Sequence, residues 1–402
     1  MKVVGLIAEY NPFHNGHQYH IEKALEITGA DVVIVVMSGN FVQRGTPAIM
    51  PKHLRVEAAL KAGASLILEL PVSYATGSAE FFAFGAVSLL DKLGCVDSIC
   101  FGSECGDIEV LQNLARIIHD EPEEYKSCLS KYLRQGNSFP LARQKAITDY
   151  LNSDIATDIL AGPNNILGIE YLKALYKLES KMTPYTISRI ISHYHDENLC
   201  ENYSSASAIR NVLSKSSDFN LDSQIPKASI SLMSETYGTR YPIYTNDFSL
   251  LLKYKLMSKT KETITSYADV SEELANRIYN LLNQFHSFEQ FCELLKTKEI
   301  TYSRISRALL HILLGIKRSD ILDIAYAHVL GFRKSDASVF SEIKKFSSIP
   351  IVTKLVDTDF LSDEGKAQLE QDIYASNLYE SVIAEKFKTA FINEYEHPIV
   401  RI

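Results

Sequence analysis

The first hundred residues alternate between two hydrophobic rhythms. Val3–Ala8, Asp31–Met37, Leu66–Leu70 and Val96–Phe101 are short runs, apolar at nearly every position. Such runs predict strands buried on both faces. Between them, Tyr19–Thr28, Lys52–Ala62 and Ala79–Leu93 carry apolar residues at helical spacing, with Gly29 closing the first and Gly63 the second. Strand–helix alternation of this kind predicts an α/β domain, a doubly wound parallel sheet of Rossmann-like form. Ligands bind such sheets at the carboxyl ends of the strands. Here the polar, Gly-bearing loops all follow strands: Glu9–Gly16, Ser38–Thr46 and Gly102–Gly106.

The rhythm then changes. Asp107 to about Leu178 reads as helical, Thr183–Ile191 as a further strand, and Ser204–Leu213 as a helix opening on serines. The polar stretch Ser214–Ser223 reads as a linker. Beyond it, Leu274, Ile278, Leu281 and Phe285 form one helical stripe, and Phe288–Lys296 and Tyr302–Leu314 read as two helices joined by a short turn. The expected organisation is an α/β domain over residues 1–215 and a mainly α-helical C-terminal domain over 224–402.

Composition narrows the class. A chain of 402 residues is expected to hold more than one domain. Its net charge of -8 argues against indiscriminate coating of nucleic acid, though not against a local basic face. Six cysteines, none in CxxC spacing, read as reduced thiols. His193 and His195 share a strand face but lack an evident third ligand, so no protein-bound structural metal is expected. No apolar run reaches transmembrane length, which predicts a soluble, cytoplasmic protein with no membrane partner.

The chemistry is concentrated in Ile7-Ala8-Glu9-Tyr10-Asn11-Pro12-Phe13-His14-Asn15-Gly16-His17, followed by Gln18, Tyr19 and His20. A strand enters a Pro-broken turn, and His-x-Gly-His falls where a helix begins. Free backbone N–H groups and partial positive charge at a helix start suit a phosphate. Gly16 lets it approach without a Cβ in the way. In adenylate transfer, charge grows on the α-phosphate oxygens, and imidazole donors placed there strengthen most in the transition state. His14 and His17 are therefore the candidate catalytic residues. A second phosphate element is Ser205, Ser207 and Arg210, where a serine-rich helix start and a cationic clamp could hold the β- and γ-phosphates. The loop Ser38–Gly45 is a candidate lid, with Gln43 or Arg44 near a carboxylate or the leaving phosphates. Lys52 and Arg55, at the start of a helix, read equally as solvated charges.

The paired signatures resemble those of the HIGH-motif nucleotidyltransferase superfamily. The resemblance sharpens over Gly5–His17, Met37–Gly45, Glu69-Leu70-Pro71, Phe101-Gly102-Ser103-Glu104 and Pro163–Gly168. Together these look like the bacterial tRNA(Met) cytidine acetate ligase family. The resemblance implies an ATP-dependent ligase. It would form acetyl-adenylate from acetate, release pyrophosphate, and acetylate the 4-amino group of the wobble cytidine of elongator tRNA(Met), giving N4-acetylcytidine. It further implies that Ile7–His20 bind ATP together with Gly102, Asn164, Arg189 and Ile190. Mg²⁺ is expected with the ATP.

Residues 296–345 hold ten Lys and Arg against five Asp and Glu, a basic concentration in an acidic chain. Arg304, Arg307 and His311 fall on one side of a helix, and Lys317 and Arg318 follow it. This predicts a phosphate-tracking face for tRNA. Two other readings use the same residues: a small-metabolite adenylyltransferase, and a non-catalytic RNA-binding protein.

Overall fold

The computed structural model describes residues 1–402 except 154, 190–203, 216–220, 222 and 322, and describes only the backbone of 155 and 156. Ten strands are found among the described residues. They are β1 (Val3–Ala8), β2 (Val32–Ser38), β3 (Phe41–Val42), β4 (Thr46–Pro47), β5 (Leu66–Leu70), β6 (Ser98–Ser103), β7 (Thr183–Ser188), β8 (Ala327–Phe332), β9 (Ile351–Val352) and β10 (Val400–Arg401). The main sheet runs β10-β8-β5-β2-β1-β6-β7, with β9 paired to β8. From β5 through β7 every pairing is parallel. The chain leaves β1 toward β2 and β5 on one side, then returns to lay β6 and β7 on the other. That reversal opens a crevice between the carboxyl ends of β1 and β6.

Alternation along the strands explains why the sheet is covered twice. Val32, Ile34 and Val36 of β2 join one apolar cluster, with Leu90, Leu111 and Leu172 from the helices on that face. Val33, Val35 and Met37 join a second cluster with Ile21, Val56 and Leu60 from the opposite face. Successive side chains point to opposite sides, so a strand apolar at every position needs two covering layers.

Helix α1 (Asn15–Thr28) begins earlier than the expected Tyr19, because His14 caps it. Its far end is Gly29, whose φ of 61° is the left-handed conformation that ends a helix. Helix α2 (Lys52–Lys61) corrects the solvated reading of its first charges. Lys52 is buried and contacts Glu69 and Glu394, each at 2.7 Å. Arg55 is also buried, and its guanidinium donates to the backbone carbonyls of Glu9, Ser38, Gly39 and Met50. One buried cation thus ties the loop after β1 to the loop after β2.

The second half is less independent than expected. A helical core does form, with Phe248, Leu252, Ile278, Phe291 and Leu309 in one cluster. Yet Phe41 and Val72 from the first half belong to that cluster. The chain then returns β8 to the main sheet, antiparallel to β5, followed by β9 and β10. Ala327–Phe332 is a short apolar run, which periodicity alone cannot separate from a buried helical segment. The 25-residue helix Asp363–Phe387 reaches back as well: Asp372 accepts from Val72 N at 2.7 Å, and Tyr379 donates to the Ala48 carbonyl at 2.7 Å.

Burial alone would raise the carboxyls of Glu69 and Glu394. Lys52 outweighs it, with His328 helping at Glu69 and His53 at Glu394, and holds both below the usual carboxylate range. The resulting stability is present above the ordinary carboxylate value and is lost as pH falls through the depressed folded values. Lys52→Met removes the ammonium from two buried carboxylates, leaving them only imidazole neighbours, and should cost about 3–5 kcal/mol in urea unfolding at pH 7. The variant should also lose this part of the wild-type stability decline below about pH 4.

Candidate active site

A cavity of about 400 Å³ opens where β1 and β6 diverge. The residues that shape it start with the turn after β1. His14 is the N-cap of α1, and its Nδ1 accepts from Gly16 N at 3.0 Å. His17 reaches back, its Nδ1 accepting from His14 N at 3.3 Å. The two imidazoles replace the side chains of an ordinary capping box, each quieting one orphan donor of the helix start. Their rings stack at 3.8 Å between centroids. A Cβ at Gly16 would come within 2.9 Å of the His14 ring, so glycine is required for this stack.

This arrangement fixes a tautomer. Both Nδ1 atoms accept, so in the neutral rings the proton resides on Nε2. Both rings are held neutral. Burial, then Arg189 and Arg210, lowers His14 to about 3; burial and His14 itself hold His17 well below its usual value. His20 is lowered to about 4 by burial and Arg189, and its Nε2 is buried without a hydrogen-bond partner among the described residues. The site thus offers neutral N–H donors rather than imidazolium charges.

The wall opposite is supplied by later segments. Ser204, Ser205, Ser207 and Arg210 all line the cavity with the His-x-Gly-His turn. Ser205 Oγ accepts from Ala208 N at 3.1 Å at the start of helix Ala206–Lys215, so it serves as a cap while facing the cavity. Arg210 donates to the Asn11 carbonyl at 2.6 Å and to Ser207 Oγ at 3.1 Å, which ties the start of helix Ala206–Lys215 to the turn after β1. Burial lowers Arg210 somewhat, but a guanidinium keeps its charge.

Gly102 lies on β6 opposite Ile187, and a Cβ there would approach Arg189 at 3.3 Å. Arg189 donates to Asn164 Oδ1 at 3.0 Å. Glu104, to which the sequence assigned no role, organises this corner. It accepts from Asn164 N at 3.1 Å, Asn164 Nδ2 at 2.6 Å and Asn165 N at 2.7 Å, capping helix Pro163–Lys177 from a neighbouring loop. Asn165 Oδ1 answers by accepting from Glu104 N at 2.9 Å. Gln43 and Arg44 reach the cavity from the β3–β4 hairpin, and Gln43 N donates to Glu9 Oε1 at 2.9 Å. Phe82, Phe101, Leu167 and Tyr171 make the apolar wall. No spacing marks them, because each is also an ordinary core residue of its element.

The turn divides into lining and supporting residues. Ile7, Ala8, Glu9, Tyr10, Asn11, His14, Gly16, His17, Tyr19 and His20 line the cavity. Pro12, Phe13, Asn15 and Gln18 do not. Phe13 is buried with its ring 5.5 Å from that of His17, Asn15 Nδ2 bonds the Ser223 carbonyl at 2.8 Å, and Gln18 bonds Glu22 at 2.8 Å. Ile190 and the pair His193 and His195 lie outside the described residues. On helix Tyr302–Leu314, His311 does not share an outer face with Arg304. It is buried, its ring nitrogens 3.2 Å from the Ala268 carbonyl and 3.1 Å from that of Thr76. Arg304, Lys317 and Arg318 are exposed, Arg318 also donating to the Val270 carbonyl, whereas Arg307 is half-buried and pairs with Asp269 at 2.9 Å.

A family model described as HIGH Nucleotidyl Transferase matches residues 1–394. The tRNA(Met) cytidine acetate ligase of Acetivibrio thermocellus is 44% identical over 392 residues, covering 94% of each chain. The Thermoanaerobacter ligase of the same name is 40% identical over 100% of both chains. The chain belongs to the tRNA(Met) cytidine acetate ligase family. The fold is also that of Thermotoga maritima TmcAL. Its apo crystal structure matches with a TM-score of 0.92 at 33% identity, and its complex with alpha-thio ATP with 0.91 at 34%, each over 100% of both chains. Among the described residues, no helix is long and apolar enough to cross a membrane.

Members of this ligase family with the same cap should show the same ring chemistry. In ¹⁵N-histidine-labelled protein, two-bond ¹⁵N–¹H spectra should report His14 and His17 as neutral Nε2–H tautomers from pH 8 down to about pH 5. A ring titrating near pH 6.5 at either position would contradict the cap geometry.

Proposed function

We propose that this chain is an ATP-dependent ligase that activates acetate and transfers the acetyl group to the wobble cytidine of elongator tRNA(Met). The observation that carries the reading is the pair of neutral Nε2 donors set beside Arg210 and a helix start in one cavity. A carboxylate oxygen of acetate attacks the α-phosphorus, the bond to the bridging oxygen breaks, and pyrophosphate leaves. His14 and His17 donate to the non-bridging α-phosphate oxygens as charge accumulates there. Their hydrogen bonds strengthen as that charge grows, which favours the transition state over bound ATP. Arg210, Ser207 and the N-terminus of helix Ala206–Lys215 hold the leaving pyrophosphate. The 4-amino nitrogen of cytidine then attacks the acetyl carbonyl, AMP departs, and the nitrogen loses a proton.

Mg²⁺ is proposed to enter with ATP, held mainly by phosphate oxygens, with Glu9 as a cavity-lining carboxylate able to receive it; when bound it neutralises phosphate charge. The tRNA is proposed to track Arg304, Lys317 and Arg318, which are exposed. The β3–β4 hairpin sits on the same helix: Ser306 Oγ donates to the Gly45 carbonyl at 2.8 Å. An RNA bound there lies next to the element that carries Gln43 and Arg44.

Incubation with ATP, labelled acetate and unmodified tRNA should yield N4-acetylcytidine. His14→Ala and His17→Ala should each lower the rate about 10²–10³-fold with tRNA affinity unchanged. Wild-type rates in both variants would undo the catalytic assignment, and a dinucleotide-like product formed without tRNA would favour the small-metabolite reading. Arg304→Ala combined with Lys317→Ala should weaken tRNA binding and reduce the slope of log affinity against log salt by about 2.

A further inference from the structure

Away from the nucleotide cavity, the carboxyl-terminal tail meets helix α2 in a second cavity of about 400 Å³, lined by His53, His328, Tyr395 and His397 among others. Three potential ligands converge there. One atom from each of His53, Glu394 and His397 lies within 4.8 Å of the others. Glu394 is only 2% exposed, and its Oε1 is spent on Lys52 at 2.7 Å. Its other oxygen has no hydrogen-bond partner among the described residues, nor have His53 Nδ1, His53 Nε2 and His397 Nε2. His53 Nε2 lies 3.6 Å from Glu394 Oε2 and His397 Nε2 lies 3.7 Å from Glu380 Oε1, too far for good hydrogen bonds, so these four buried polar atoms sit together poorly satisfied, which is uncommon and costly in a folded protein.

We propose that His53, Glu394 and His397 bind a divalent first-row transition ion. Two imidazoles and one carboxylate suit zinc and its neighbours rather than Mg²⁺ or Ca²⁺. His53 Nε2 and Glu394 Oε2 are 3.6 Å apart, close to the separation of about 3.4 Å between two ligands of a tetrahedral ion. The His53 and His397 rings are stacked at 4.1 Å between centroids, and loading splays them through side-chain rotation. The remaining coordination position opens to the cavity and is left for water. Lys52 offsets one carboxylate charge without occupying the second oxygen. The ligands lie at opposite ends of the chain, so ligand spacing could not reveal them. The ion would staple the tail to α2, the helix whose Arg55 holds the loops after β1 and β2.

The test uses the tag-free full-length chain, stripped with a chelator and titrated with Co²⁺ and then Zn²⁺. The expected result is one ion retained per chain after dialysis, a Co²⁺ visible absorption that Zn²⁺ abolishes, and a Tm raised by about 2–5 °C. His53→Gln and His397→Gln should each cut retained metal at least tenfold; circular dichroism confirms that the variants are folded. His397→Gln changes only the tail, so it keeps the test decisive where a change in α2 disturbs folding. No retained ion and no Tm shift would overturn the proposal, as would equal retention in wild type and the folded His397→Gln variant.

Discussion

Two imidazoles capping a helix is the constraint on which the site depends. His14 and His17 each give Nδ1 to a backbone N–H, so neither ring can rotate or exchange tautomer without leaving a helix donor unmet. The bonds are modest, on the order of 1 kcal/mol each. Their consequence is positional. They place two Nε2–H groups in one cavity at the end of β1, and burial keeps both neutral. A helix start usually receives Ser or Asp for this purpose. Here the capping function and the proposed catalytic function share the same ring, the second nitrogen being left over from the cap.

Cationic charge is then assembled around neutral donors. Arg210 and Arg189 both act on His14, and each is anchored by a hydrogen bond of its own, to the Asn11 carbonyl and to Asn164. The same positive field that suits a triphosphate also depresses the histidine pKa values. Anchoring limits the reorganisation needed when charge shifts during phosphoryl transfer, which is the condition under which fixed dipoles are most effective. Glu104 contributes by spending its carboxylate on a helix start, which keeps that negative charge occupied at the cavity edge.

The strand–helix alternation of the first half was legible because strands buried on both faces leave a continuous apolar signature. So was the His-x-Gly-His turn, since strand, broken turn and histidines are all local. Arg210 and Ser207 could be named as partners from composition and order, and the cavity brings them to that turn. Three things were not legible. Lys52 and Arg55 look like any helix-opening charges, because their partners Glu394, Glu9 and Gly39 lie on other segments. His311 fits a basic helical stripe by spacing, but its carbonyl partners come from residues 76 and 268. Finally, β8 resembles a helical fragment until its pairing with β5 is known. Each failure is a long-range contact overriding a local pattern.

The same contacts explain why the two halves cannot be assigned separate tasks so simply. The catalytic sheet takes an edge from β8, and β8 supplies His328, which bonds Glu69 at 2.8 Å. Glu69 in turn holds Lys52, the first residue of the helix that carries Arg55. Arg55 bonds the carbonyl of Glu9, two residues before Asn11, which receives Arg210. A path of hydrogen bonds, an ion pair and short backbone links therefore runs from the last quarter of the sequence to the turn after β1. The turn that carries His14 is thus tied, through Arg55 and the helix that also carries Lys52, to carboxylates supplied by β5 and by the segment after helix Asp363–Phe387.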